Sequence, residues 1–289
     1  MSIRKLPEIK ALDAISGLEF PADDAALARW NPGVHAALDA DNSISIYNVI
    51  GDDPLDGGGV SSKRIAAALR KIGGQDVVVN VNSPGGDFFE GVAIYNLLRE
   101  HPHNVTVRVI GLAASAASLV AMAGDKIEIS DIGFLMIHNA WALAMGNRHD
   151  MRAAADTLEP FDDAMASVYA KRSKAKKDEV AAWMDAEKWF NGEQAVEAGL
   201  ADALLPSAEV DDGTNAKMTS ITALRRVESA LARQGVSKKE AKTLIAAMKF
   251  GERDAADPIA RDAGSSAMRD AGEIAAEATR LISKFGLRG

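Results

Sequence analysis

Three short segments carry residue types that could act together. Asn82-Ser83-Pro84-Gly85-Gly86 follows the β-branched run Val77-Val-Val-Asn-Val81 and precedes an apolar helical stretch. Adjacent glycines let a backbone approach a bound chain closely and turn bare N–H groups toward it, as an oxyanion hole requires. An ordinary glycine turn would use the same residues. Gly111-Leu-Ala-Ala-Ser115-Ala-Ala-Ser118 places a serine after a strand and at the start of a helix of small residues. There its hydroxyl would stand unobstructed, and the helix dipole would favour developing negative charge. Alternatively, Ser115 is only an N-cap. Ser118, one turn later, reads as a packing residue. Phe134-Leu-Met-Ile-His138-Asn139 ends an apolar strand in a histidine. Its ordinary pKa near 6.5 suits proton transfer at neutral pH, although a satisfied structural histidine fits the same place.

Taken singly, each segment fits a structural role as readily as a chemical one; only their order and context point further. The signature G-x-S-x-G is absent around Ser115 and Ser118, which counts against the α/β-hydrolase class. His35, His101, His103 and His149 lie in polar or turn contexts, and His101-Pro-His103 has too few companion ligands for a metal site. Neither a metal nor a cofactor is expected.

The elements around these segments alternate strand and helix. Ser43 to Ile50 alternates like a half-buried strand, Ser61 to Ile72 has helical apolar spacing, and Val77 to Val81 reads as a buried strand. A helix from about Phe89 to Arg99, a strand from Val105 to Ile110 and two more strands, Lys126 to Ile129 and Gly133 to His138, continue the pattern. Such alternation with short connections predicts an α/β domain with helices packed on a sheet. Met151, Leu158, Phe161, Met165, Val168 and Tyr169 share one face of a long helical stretch that Pro160 should bend. Trp183 to Leu200 reads as a second helical pair.

Composition bounds the rest. The 289 residues are 47% hydrophobic and 26% charged, enough to bury a sizeable core. With 0 cysteines, thiol nucleophiles, disulfides and Cys-ligated metal sites are excluded. A net charge of −8 argues against a chain-wide nucleic-acid footprint. That charge is uneven: residues 206–289 carry 14 Lys and Arg against 12 Asp and Glu, leaving 19 against 29 in residues 1–205. No signal peptide is expected, because Arg4, Lys5, Glu8, Lys10 and Asp13 interrupt any apolar core. The uncharged stretch from Val109 to Gly124 is 16 residues long, short of the roughly 20 apolar residues a membrane span needs.

In order and context, these motifs resemble the ClpP family of serine peptidases. NSPGG matches the family's oxyanion-loop motif, GLAAS its nucleophile motif (here followed by Ala116-Ala117 rather than Met-Gly) and MIH its histidine motif. Glu193-Gln-Ala195 through Glu197-Ala-Gly-Leu-Ala-Asp202 looks like the family's ending. The resemblance covers about Ser43 to Leu204. It implies a ClpP/crotonase-like spiral of ββα units, with Ser115 as nucleophile, His138 as base, and the amides of Gly86 and Ala116 as oxyanion donors. Gapless carry-over from Gly199 places the acid on Glu187, with Asp185 as the alternative if the register slips by two. It also implies protein substrates and a homo-oligomeric ring, for which the face from Met151 to Tyr169 could supply a subunit contact or else a part of the monomer's own core.

The chain departs from bacterial ClpP at both ends. On this reading, residues 1–42 form an arm with a helical piece around Ala25 to Trp30, and 43–205 the peptidase domain. Residues 206–220 form a polar linker, and 221–289 a helical extension with a capping box at Ser237 and Glu240. An arm where ClpP has a short unfoldase-engaging segment argues against an ATPase partner. Asp87-Phe-Phe-Glu-Gly91, Asn139-Ala-Trp141 and Gly146-Asn-Arg-His149 resemble the ClpP-related head maturation proteases of tailed bacteriophages. That resemblance implies processing of capsid or scaffold proteins in the host cytoplasm or within the prohead, with the extension either tethering the enzyme to them or stabilising an oligomer. The alternatives are a general ClpP-type proteolytic subunit working with an ATP-dependent unfoldase, a crotonase-like acyl-CoA enzyme, which would not need the Ser115/His138 pair, and a non-catalytic assembly subunit.

Overall fold

β-Branched residues suit a strand buried on both faces, and the valine run becomes the strand Val77–Ser83 at the heart of a parallel sheet. The computed structural model describes residues 22–36, 40–51, 59–206 and 210–211, together with positions 227, 231, 236 and 241. In chain order the elements are α1 (Asp24–Arg29), β1 (His35–Ala36), β2 (Ser43–Ile46), α2 (Ser62–Ile72), β3 (Val77–Ser83), α3 (Phe88–Glu100), β4 (Val105–Ala114) and α4 (Ala116–Ala121). They continue with β5 (Lys126–Ser130), β6 (Phe134–Met136), α5 (Arg148–Arg172), α6 (Lys177–Asp185), β7 (Trp189–Asn191), α7 (Gly192–Glu197), β8 (Ala203–Leu205) and β9 (Val210–Asp211).

The main sheet runs β2-β3-β4-β5-β8, every pairing parallel, with helices packed on it: the α/β architecture expected from the alternation. β4 is longer than its sequence pattern suggests, and its two halves have different neighbours. Thr106 to Val109 pair with β5, whereas Leu112 to Ala114 pair with β6. β6 in turn pairs antiparallel with β7. A single strand thus runs from the main sheet into a second set of pairings and delivers its end, Ala114, beside Met136.

The helices explain the small residues. All six residues of α4 are buried, and a Cβ on Gly91 of α3 would stand 3.0 Å from the Cβ of Ala116. Only alanine-sized side chains let two helices approach so closely. α5 continues through Pro160, and its apolar face divides. Phe161, Met165, Val168 and Tyr169 are buried in the chain's own core, whereas Met151 remains exposed. Arg172, fully buried, pairs with Asp202, whose carboxylate also accepts from the Ile127 amide at 2.8 Å.

Three local readings change. Trp183 to Leu200 is not a helical pair, because β7 separates α6 from α7. β9, inside the stretch read as a linker, pairs antiparallel with β1. Residues 22–36, part of the stretch read as an arm, are bound to the core. Leu27 and Trp30 of this segment pack with Leu112, Ala114 and Met136, and the Trp30 indole N–H donates to the Asn82 carbonyl at 3.0 Å. The expected helices of 221–289, including the Ser237 cap, lie outside the described residues except for isolated positions.

Candidate active site

The split of β4 decides where Ser115 lies. As β4 ends, the chain turns sharply into α4, and Ser115 takes up φ 54°, ψ −127°. That half of the backbone map is rarely occupied by non-glycine residues and is held only where the surroundings enforce it. Here the Ser115 amide donates to Met136 O at 3.1 Å, while its carbonyl accepts from the Ser118 amide at 2.9 Å and from the Ser118 hydroxyl at 2.6 Å. Ser118 is therefore more than packing. Its hydroxyl also lies 2.8 Å from the buried Tyr169 hydroxyl.

His138 follows β6. Its Nε2 lies 2.7 Å from Ser115 Oγ, across 23 residues of sequence. The ring is only 8% exposed. Burial lowers its pKa below the ordinary 6.5, opposed first by the carboxylate of Asp23 and then by that of Glu187. Burial thus favours the neutral form of the imidazole, the form that can accept a proton.

The two candidate acids occupy different places. Asp185 Oδ1 accepts from the side-chain amide of Asn139 at 2.7 Å. Glu187 lies on the β7 side: β6 and β7 pair Phe134 with Asn191, Leu135 with Phe190 and Met136 with Trp189. The Ile137 amide then donates to Lys188 O at 3.1 Å. One step further, that register sets Glu187 opposite His138. Among the described residues, neither acid hydrogen-bonds the other ring nitrogen. Glu187, like Ser115, has a positive φ, 47°.

The glycine loop closes the site. Gly85 has φ 89°, and a Cβ there would meet Ala114 O at 2.6 Å and Ser115 Cβ at 2.7 Å. Gly86 has φ 144°, and a Cβ there would meet Ile50 O at 2.2 Å. Glycine is therefore required at both positions by space and by conformation. The Ile50 amide donates to Gly85 O and the Asp87 amide to Ile50 O, and no acceptor for the Gly86 amide occurs among the described residues. Ala116 is the first residue of α4, so its amide has no partner within the helix. Asn82 and Ser83 hold the loop in place. Asn82 donates to Asn31 O and Val34 O and accepts from the Leu112 amide, while the Ser83 hydroxyl donates to Asn48 O.

Gly86, Ser115, Ala116 and His138 line one open pocket with Asp23, Phe88, Asn139, Ala140, Trp141 and Met165. Asp23 carries no motif. Its only signal in the sequence is an acidic residue ahead of a short helical run, the pattern of an N-cap, which it is (Ala26 N to Asp23 Oδ1, 2.9 Å).

The Clp protease family profile matches residues 61–208, just over half of the chain, and spans all three motifs. The chain belongs to the Clp protease family. Clp proteases are serine-type peptidases, and the chain falls in that class. It is 29% identical over 157 residues to the ATP-dependent Clp protease proteolytic subunit 1 of Streptomyces avermitilis, covering 52% of this chain and 72% of that protein. The proteolytic subunit from Bacteroides fragilis is 30% identical over 134 residues, covering 46% of this chain and 65% of that protein. That from Deinococcus radiodurans is 27% identical over 141 residues, with shares of 48% and 69%. The matched Clp region contains β3 to β8 and every residue lining the pocket except Asp23. Among the described residues, no helix is long and apolar enough to cross a membrane.

Proposed function

We propose that the chain is an endopeptidase of the Clp type that cleaves peptide bonds through an acyl-enzyme on Ser115. The observation that carries this reading is the 2.7 Å contact between Ser115 Oγ and a neutral, buried His138. His138 takes the hydroxyl proton as Ser115 attacks the carbonyl, and later donates it to the leaving amine. The amides of Gly86 and Ala116 receive the oxyanion. Water then attacks the ester, His138 again acting as base, and the acid product leaves. Glu187 is the carboxylate that orients the imidazole. The register of β6 and β7 favours it over Asp185, whose carboxylate already serves Asn139. The Glu187 carboxylate acts electrostatically on the His138 ring, which supports this assignment.

Clp family proteins act on protein substrates as oligomeric rings, and the same is proposed here. The relatives are named as proteolytic subunits of an ATP-dependent protease. A general role of that kind is the reading supported by family membership. Trimming of capsid or scaffold proteins is the narrower reading, supported only by the resemblance of Asp87 to Gly91, Asn139 to Trp141 and Gly146 to His149 to phage maturation proteases. Incubating the purified chain with an unfolded protein such as casein, beside Ser115→Ala and His138→Ala, tests the activity. Fragments from the wild type alone are expected; equal fragmentation by Ser115→Ala rejects the assignment. Co-expression with a phage scaffold protein tests the narrower role.

A further inference from the structure

Among the described residues, the pocket around Ser115 is lined mainly by uncharged groups, with Phe88, Ala116, Ala140, Trp141 and Met165 as its apolar walls. It holds one acidic side chain, Asp23, and no lysine or arginine. This carboxylate is half-buried and its place is fixed. Oδ1 caps α1 through the Ala26 amide, and α1 itself is fastened by Trp30 to Asn82 of the glycine loop. Oδ2 has no hydrogen-bond or ion-pair partner among the described residues. Arg29, the cation of the same helix, lies 4.0 Å over the Trp189 ring instead.

A lone carboxylate here has a consequence for the reaction. The tetrahedral intermediate places a negative charge at the amides of Gly86 and Ala116, in the same pocket, while the proton taken from Ser115 makes His138 cationic. In a partly desolvated site the two negative charges repel more strongly than in water. A cation on the substrate, seated against Asp23 Oδ2, would remove that repulsion and add a charge-assisted contact.

We propose that Asp23 gives the site a preference for substrates carrying a positive charge next to the scissile bond. The inference rests on the peptidase reading above. The cation is a lysine or arginine side chain or a free α-ammonium group, and both present the same chemistry to the carboxylate. The segment carrying Asp23 precedes the region matched by the family profile.

The test compares kcat/KM for short fluorogenic peptides at about pH 8, where the imidazole is neutral with or without Asp23. One pair is N-acetylated and carries lysine or its uncharged isostere norleucine at each position beside the cleaved bond. A second pair is neutral in its side chains, with the amino terminus either free or acetylated. The wild type is expected to favour the cationic member of at least one pair by about tenfold. Asp23→Asn should bring the ratio to about one. Asparagine caps a helix as well as aspartate, so the fold is kept. Asp23→Lys should turn the preference toward glutamate-containing peptides. A wild-type ratio near one in both pairs overturns the proposal, as does a preference that persists in Asp23→Asn. Labelling of Ser115 by a fluorophosphonate, run in parallel, reports on the nucleophile independently of peptide charge. Charge-blind cleavage with labelling intact refutes the role of Asp23 alone, whereas absence of labelling in the wild type refutes the peptidase reading and this inference with it.

Discussion

Tyr169 supports Ser115 from the far side of α4: its hydroxyl lies 2.8 Å from Ser118 Oγ, and Ser118 donates to the Ser115 carbonyl at 2.6 Å. A serine hydroxyl has one proton, so Tyr169 is the donor to Ser118. Burial pushes the Tyr169 phenol well above its ordinary pKa, which keeps that proton in place. The chain of contacts ties α5 to the unusual backbone of the candidate nucleophile. Replacing Tyr169 by Phe should cost about 1 kcal/mol of stability, the net worth of one hydrogen bond. It should lower kcat about threefold to tenfold with little change in KM. A purely structural role would lower stability and leave kcat of the folded enzyme intact; urea unfolding and steady-state kinetics separate the two.

The pH dependence follows from the buried imidazole. Catalysis requires neutral His138, so activity falls as pH drops through its pKa. Burial lowers that pKa, and the acid limb of kcat/KM should therefore lie below 6.5, the ordinary histidine value. The carboxylates of Asp23 and Glu187 oppose the shift. Replacing either by its amide should move the limb to still lower pH. A limb at or above the ordinary value would show that the ring is more exposed than its position after β6 implies.

The candidate acids separate by substitution. Glu187→Gln removes the carboxylate opposite His138 and should lower kcat by about 10²–10⁴. Glu187→Asp, one methylene shorter, should retain part of the activity. Asp185→Asn alters only the contact with Asn139 and should change kcat less than about threefold, the scale of an exposed polar contact. The reverse order of effects would move the role to Asp185.

At Gly86 the expectation is steric. A Cβ would stand 2.2 Å from Ile50 O, a backbone atom that has nowhere to go. Gly86→Ala should displace the loop and cost about 10²–10³ in kcat/KM, the loss typical of one oxyanion donor. Kinetics beside circular dichroism checks it. Wild-type rates would mean that this amide takes no part.

Much of the site is legible in the sequence because its parts are local. Two glycines after a valine strand, a serine before small residues and a histidine after an apolar strand each state their geometry within a few residues. The meeting of Ser115 and His138 needs a longer reach, and β4 supplies it by pairing with β5 through one half and β6 through the other. β7 is not legible: three residues, Trp189 to Asn191, are too few to show alternation between two helices. Asp23 escapes for another reason. Nothing in the chain near it indicates that α1 folds back over Leu112, Ala114 and Met136 and brings its cap to a serine 92 positions later. Ser118 reads as packing because one of its two hydroxyl partners, Tyr169, comes from α5, far along the chain.

The central claim is that Ser115 Oγ is a nucleophile activated by His138. Intact-mass spectrometry after treatment with a fluorophosphonate tests it most directly. One adduct per chain is expected, mapping to the peptide that contains Ser115, lost in Ser115→Ala and strongly slowed in His138→Ala. An unmodified wild type, or an adduct that persists in Ser115→Ala, would contradict it.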